Sequence, residues 1–535
     1  MRPSFARLLM LRLSMLPVRT LAALVALLLF PGTAPPVALP VHAVSVAAEP
    51  PAAELPAVAQ APSAPPAAVA PAPMAPAPMA ATIDAVLDDP ELPEAFWGIY
   101  VQDLESGRVV YRRNASLNFI PASNQKLLTT AAALDVLGPD HRFTTTLHFS
   151  GNTDGSTLDG DLVLTGSGDP TFGSRRVADT VWADPLAAWA RSLADAGVTK
   201  ITGRLVGDGR AFDAGDTYAP GWDLNHLDRQ PWAPATSGLS YADNLLRFRI
   251  EGTRAGQAAR VTAEPESFFR LNNAVSTHRR RRGYSPLRIQ RRLGTNTYDA
   301  TGSVSYRYAG LASIPVEAPV LYTLHHFQQR LEAVGIEVDA TLVDAADLTS
   351  LPTATGEPLF VHRSPPVSWL VDEINKRSDN LYAEHLFRAL SSRGTLSGGR
   401  SAVVGFFDRQ GLPTRGLSVR DGSGLSRKDL VTPEMLGRLL AVMVGHEHGA
   451  LYVASMPGGG ERATTLSTRL EGVPVAAKTG SLEYVRALSG YATGPDGTRY
   501  AFSVVANHYT TRSGRITDAI DQIAAAITSG GLAQG

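Results

Sequence analysis

Ala122-Ser123-Asn124-Gln125-Lys126-Leu127-Leu128-Thr129-Thr130-Ala131 sets a hydroxyl and an amine three residues apart at the head of an apolar run that Gly138-Pro139 stops. The punctuation predicts a helix with its N-terminus at the serine. Residues i and i+3 share a helix face, so Ser123 Oγ and Lys126 Nζ can point into one cleft. The apolar remainder of that helix supplies a buried setting that favours neutral lysine, and the helix N-terminus adds partial positive charge where a serine alkoxide would develop. Of the 49 basic residues in this 535-residue chain only Lys126, Lys200, Lys376, Lys428 and Lys478 are lysine. Arginine cannot be deprotonated in a protein, whereas a desolvated lysine can serve as a base. Lysine is kept where a removable proton would matter.

Taken alone, S-x-x-K is a weak signal, and its plain reading is a capped helix with a solvated lysine. Two further elements reverse that reading. Ser378-Asp379-Asn380 stands between helical patterns at Val367 to Lys376 and Leu381 to Leu390. Positions i and i+2 diverge on a continuous helix, so Ser378 and Asn380 act together only on the turn joining the two. There the serine can relay a proton and the asparagine amide can hold a substrate peptide group; by itself the motif is an ordinary helix-capping pair. Lys478-Thr479-Gly480-Ser481 follows the run Val473 to Ala477 and precedes Ala487 to Ala492, the Pro495-Asp496-Gly497 turn and Tyr500 to Ala506. That is an antiparallel edge-strand context in which Gly480 admits a second backbone and Lys478 with Thr479 can hold a carboxylate. Near the start of the folded part, Phe96 to Asp103 and Arg108 to Tyr111 flank Leu104-Glu105-Ser106-Gly107 as a hairpin.

Three elements in this order, in helix, loop and strand contexts, resemble the penicillin-recognising serine acyltransferases. Longer strings, Asn375 to Glu384, Asp421-Gly422-Ser423-Gly424-Leu425-Ser426 and Ala477 to Leu482, resemble specifically the D-alanyl-D-alanine carboxypeptidase/endopeptidases, the low-molecular-mass class C penicillin-binding proteins. Gly160-Asp161-Leu162 through Gly168-Asp169-Pro170-Thr171, and Ala219-Pro220-Gly221-Trp222, match further parts of that family, so the likeness runs from about residue 82 to the C-terminus. It implies an α+β, multidomain fold: a β-lactamase-like catalytic domain, an antiparallel sheet flanked by helices, carrying inserted mainly-β domains. It implies Ser123 as nucleophile, Lys126 as base, Ser378 as relay to the leaving amine, and Asn380, Lys478, Thr479, Gly480 and Ser481 as substrate-binding, with backbone N–H groups of Ser123 and Ser481 holding the oxyanion. The implied substrates are peptidoglycan stem peptides ending in D-Ala-D-Ala and their cross-links, with β-lactams as covalent inhibitors and water completing hydrolysis without metal or organic cofactor.

Spacing separates members of the wider group. Ser123 and Ser378 lie 255 residues apart, and Ser378 and Lys478 lie 100 apart. Class A β-lactamases have a far shorter first interval and a deacylating Glu-x-x-Leu-Asn motif after S-x-N, which is not found between Asn380 and Lys478. Acylation by penicillin with slow release is therefore predicted. The insertion, roughly Thr144 to Phe360, carries short β-like runs at Leu162 to Leu164, Ile201 to Val206, Leu245 to Ile250 and Val304 to Tyr308. Arg279 to Arg282 with Arg288, Arg291 and Arg292 form a basic cluster, read as a solvated strand or hairpin face. Pro457-Gly458-Gly459-Gly460-Glu461-Arg462 departs from the family's Gly-x-Asp-Gly-Thr-like turn, and His446-Glu447-His448 reads as a solvated loop.

Composition bounds the rest. The net charge of −1 supplies no global field to recruit nucleic acid or acidic membrane, and the absence of cysteine removes disulfides, thiolate metal sites and a cysteine nucleophile. Arg2, Arg7, Arg12 and Arg19 precede the apolar stretch Leu21 to Phe30, with small-residue sites at Gly32-Thr33-Ala34 and Val41-His42-Ala43, which reads as a secretory signal too short to span a membrane comfortably. From about Ala34 to Ala81 alanine and proline dominate, an extended spacer. The expected organisation is a signal at 1–43, a linker at 44–81, catalytic domain at 82–145 and 358–535, and inserted β-rich domains at 146–357. The expected location is the periplasm, loose association with membrane or wall is compatible with the spacer, and oligomeric state is left open. The competing reading is a wall-binding or scaffolding protein that keeps the fold and has lost turnover. An α/β hydrolase and a zinc peptidase are disfavoured because neither Gly-x-Ser-x-Gly nor His-Glu-x-x-His is found.

Overall fold

A computed structural model describes residues 77–530, apart from 91, 93–94, 178–183, 280–284 and 353–355. The segments proposed as signal and as most of the spacer lie outside the described residues. Among the described residues no helix is long and apolar enough to cross a membrane.

The organising element is a five-stranded antiparallel sheet in the order Val475–Leu482, Val485–Thr493, Arg499–Asn507, Phe96–Asp103, Val109–Arg113. Its middle strand, Arg-Tyr-Ala-Phe-Ser-Val-Val-Ala-Asn, is buried at every residue after Arg499 because both faces are covered. Tyr500, Phe502, Val504 and Ala506 pack on one side with the helices Ala77–Leu87 and Ser513–Thr528. Ala501 and Val505 pack on the other, against helices Gln125–Val136, Val367–Arg377, Asn380–Ala389, Leu396–Arg409 and Pro433–Gly445. This alternation is the period-2 rule applied to a strand buried on both sides.

The chain leaves this layer after Gln125–Val136 and returns at Val367. Between them lies a mixed five-stranded sheet, in the order Glu337–Asp344, Lys200–Asp208, Thr157–Gly166, Thr144–Asp154, Phe360–Arg363, and two three-stranded sheets. These share a second core with helices Pro185–Asp195 and Pro319–Ala333. The expected strand Val304 to Tyr308 is instead a corner between the two three-stranded sheets: Thr297–Ser305 ends there in one, Ala309–Pro315 begins beyond it in the other, and Tyr306 and Tyr308 are exposed. Of the basic cluster, Arg280 to Arg282 lie outside the described residues. Arg291 is turned inward, fully buried, donating to the Leu227 carbonyl and pairing with Glu317, and Arg292 pairs with Asp299 at 2.8 Å. The alternation of Arg288–Arg291 along its strand sends Arg291 to the covered face, so a solvated face describes only part of that cluster. His446 is not solvated either, since it packs against helix Gln125–Val136 with Nε2 3.2 Å from Asp135 Oδ1.

Candidate active site

The surroundings of Ser123 are built from four separate pieces of chain. Ser123 lies in a single 3-10 turn, Ala122–Asn124, that runs directly into helix Gln125–Val136, so the α-helix proper starts two residues later than the sequence pattern suggests. Ala122 holds a positive φ of 47° to make the turn. Asn124 fastens it to the sheet: its Nδ2 donates to the Lys478 carbonyl at 2.8 Å, and its Oδ1 accepts from Ser489 Oγ at 2.7 Å. Ser123 stays half-exposed while Lys126, one turn on, is completely buried.

Lys126 Nζ has three oxygen partners, a full set for an ammonium. They are Ser123 Oγ at 3.0 Å, Asn380 Oδ1 at 2.5 Å and the Ser423 carbonyl at 2.6 Å. Burial lowers the lysine to about 8, held from falling further by Asp421, Asp379, Glu384 and Asp429. About a tenth of the amine is therefore neutral at pH 7, and the neutral form has a lone pair to take the Ser123 proton.

Ser378 ends helix Val367–Arg377 in the left-handed conformation at φ 62°, and Asp379 caps the next helix by accepting from Tyr382 N at 3.0 Å. The motif thus occupies the joining turn. Asn380 opens the second helix, its Oδ1 on Lys126 and its Nδ2 donating to the Trp232 carbonyl at 2.7 Å, which leaves the second amide hydrogen for a substrate carbonyl. Arg176 braces Asp379 from the insertion at 3.3 Å.

Lys478, Thr479, Gly480 and Ser481 lie on the edge strand Val475–Leu482, in register with Ser489, Leu488, Ala487 and Arg486. Lys478 is buried, donating to Ser378 Oγ at 2.9 Å and the Thr479 carbonyl at 2.8 Å. Burial, then the charge of Lys126, pushes it well below the ordinary lysine value, so an arriving carboxylate would restore its proton. A Cβ on Gly480 would stand 2.8 Å from the Pro121 carbonyl, which is why glycine lets this strand press against the turn that carries Ser123. The Pro457 to Arg462 segment covers the start of the same edge: Ala477 N donates to the Pro457 carbonyl at 2.9 Å and Gly459 N to the Val475 carbonyl at 3.1 Å.

All eight residues singled out in the sequence meet here. Sequence reasoning missed two backbone acceptors, the carbonyls of Ser423 and Trp232, and the side chain of Asn124. The signal for the first was in Asp421-Gly422-Ser423-Gly424: Gly424 has φ 80°, and a Cβ there would fall 1.9 Å from the Ala122 carbonyl, so this loop is pressed onto the turn that carries Ser123.

Fold and site together define a serine-type D-Ala-D-Ala carboxypeptidase. The D-Ala-D-Ala carboxypeptidase 3 (S13) family matches residues 79–527, and the chain belongs to that family. It is 32% identical over 453 residues to the D-alanyl-D-alanine carboxypeptidase of Actinomadura sp. (strain R39), covering 80% of each chain. It is 27% identical over 431 residues to the D-alanyl-D-alanine carboxypeptidase DacB of Haemophilus influenzae, covering 77% of this chain and 86% of that one. The crystal structure of penicillin binding protein 4 (dacB) from Haemophilus influenzae superposes with a TM-score of 0.70 at 25% identity, over 83% of this chain and 98% of the other.

Proposed function

We propose that Ser123 is the acylated nucleophile of a peptidase that trims or opens peptidoglycan stem peptides. The observation that carries this reading is the buried Lys126 amine 3.0 Å from the half-exposed Ser123 hydroxyl, with its affinity for a proton lowered to about 8. Ser123 Oγ attacks the carbonyl of the penultimate D-alanine as its proton passes to Lys126 Nζ, and the Oγ–C bond forms. Backbone N–H groups of Ser123 and Ser481 hold the oxyanion. The C–N bond then breaks, and the leaving amine takes a proton through Ser378, which Lys478 Nζ supports at 2.9 Å. Asn380 orients the acyl side, and Lys478, Thr479 and Gly480 receive the terminal carboxylate, or the free carboxyl at a cross-link. Water then releases the acyl group and returns Ser123.

β-Lactams carry the same carbonyl and carboxylate, so they acylate Ser123 and leave slowly, because no deacylating Glu-x-x-Leu-Asn motif follows Asn380. Export to the periplasm is part of the reading, supported by the N-terminal residues of the sequence. Loose contact with wall or membrane through the Ala/Pro spacer belongs to it as well. The test is mass spectrometry of the full chain after benzylpenicillin. One penicilloyl group on Ser123 is expected, and a folded, unmodified protein would transfer the weight to a non-catalytic wall-binding role.

A further inference from the structure

Resting on that reading, we propose that Glu384 and Arg388 form a buried positioning pair for Lys126, acting through the Ser423 peptide. Neither side chain reaches Ser123, and both are fully buried one helical turn apart on Asn380–Ala389, with Glu384 Oε2 2.6 Å from Arg388 Nη1. The other carboxylate oxygen, Oε1, accepts from Gly422 N at 3.0 Å and Ser423 N at 2.9 Å. One of the peptide units thus held presents the Gly422 carbonyl to Thr129 Oγ1 at 2.7 Å, and the adjoining unit, reached through Ser423 and fastened by Gly424 N to Asp421 Oδ1, presents the Ser423 carbonyl to Lys126 Nζ at 2.6 Å. One carboxylate therefore fixes the loop that supplies the lysine's backbone acceptor, and the same helix supplies Asn380 as another.

Arg388 is tied in turn to the insertion through the Asp216 carbonyl, so the pair has no freedom to swing away. A buried ion pair is poor evidence for stability in itself, since desolvation offsets the attraction. Here the anion receives two N–H groups from a loop that faces the nucleophile, which is a geometric task an apolar pair could not perform.

The charged groups facing Lys126 are Asp421 and Asp429 from the loop, Asp379 from the joining turn, Glu384 from the following helix, and Lys478 from the edge strand. Burial and Asp421 raise the Glu384 carboxyl, while Arg388 and Ser423 oppose them. Charge and reach of Glu384 can be separated by two substitutions. Glu384→Gln keeps an acceptor for the loop N–H groups and removes the negative charge. Glu384→Asp keeps the charge and withdraws it by one methylene.

The experiment follows the acylation rate constant of full-length protein with a chromogenic cephalosporin from pH 5.5 to 9.5, with the fraction of active sites titrated by fluorescent penicillin. Wild type run in parallel tests the parent reading, because a wild type that is not acylated removes the reading and not this inference alone. With wild type active, Glu384→Gln is expected to move the acid limb to lower pH by at least a few tenths of a unit. Glu384→Asp is expected to leave the limb in place and lower the plateau at least tenfold. Rate constants and limbs equal to wild type in the folded fraction of both variants would overturn the proposal, as would failure of both variants to fold, which would make the pair a scaffold only.

Discussion

Lys126 carries the largest chemical burden of any residue in the cleft. Folded, it releases its proton near 8; unfolded, a lysine holds it to 10.5. Below pH 8 both states are protonated and the folded state bears the full cost of a buried ammonium. Between 8 and 10.5 the unfolded chain binds the extra proton, so that cost is lost and stability rises with pH. The gap of about 2.5 units corresponds to roughly 3 kcal/mol. A Lys126→Met variant has no such term, so its stability relative to wild type should fall by on the order of 3 kcal/mol between pH 7 and 10.5. Denaturant midpoints at both ends of the range would show it, and a constant difference would mean the lysine titrates normally. The acylation rate should climb with pH through about 8 for the same reason. Lys126→Arg keeps the positive charge and cannot give it up, so acylation should drop by more than about a thousandfold, below what a capped helix with a spectator cation would show. Acylation at the normal rate in that variant would remove lysine as the base.

The elements work by bringing their ends to one place: a 3-10 turn, the junction of two helices, a loop and an edge strand. Gly480→Ala tests the strand. The new Cβ would lie 2.8 Å from the Pro121 carbonyl and 3.1 Å from Ala487 Cβ, so strand and turn must separate. We expect about 1–3 kcal/mol of destabilisation by thermal melting and at least a tenfold slower acylation, and an unaffected rate would show the close approach to be dispensable. Ser378→Gly tests the helix junction in the opposite sense. Its left-handed φ of 62° suits glycine better than serine, which offsets the lost bond to Lys478. Stability should stay within about 1 kcal/mol of wild type while turnover of D-Ala-D-Ala peptides falls at least a hundredfold, and retained turnover would remove Ser378 as the relay. These junctions were legible in the sequence because chemistry restricts both residue type and spacing: a serine two residues before an asparagine between two helical patterns, a lysine two residues before a glycine in an apolar strand. The targets of the Ser423 and Trp232 carbonyls were not legible: the Asp421 to Gly424 string marked its loop, but any residue supplies a carbonyl and only the folded chain decides where it points.

Across the whole molecule, the insertion is joined to the catalytic machinery more tightly than a sequence interval can express. Ala219, Trp222, Leu227 and Ala233 belong to the core that contains the nucleophile helix, whereas the strands around them belong to the other large core. The paired strands of the central sheet could be anticipated from period-2 runs and a Pro-Asp-Gly turn, but this crossing of one segment into a distant core depends on contacts about 200 residues apart and leaves no local period to read. Trp222 is its anchor: Nε1 donates to Asp421 Oδ2 at 2.8 Å, and that same carboxylate accepts from Gly424 N and Ser426 N at 2.7 Å each. The indole thereby steadies the loop that carries the Ser423 carbonyl. Trp222→Phe keeps most of the apolar contact and removes only the N–H, leaving a buried carboxylate oxygen one partner short at a cost of about 1–3 kcal/mol. If the insertion contributes to catalysis through this link, the variant should lose that stability in denaturant titration and also acylate several-fold more slowly per folded molecule, with the slowing present at saturating β-lactam. A loss of stability with an unchanged acylation rate constant would confine Trp222 to packing, and would place the insertion's influence on the chemistry in Trp232 and Arg176 instead.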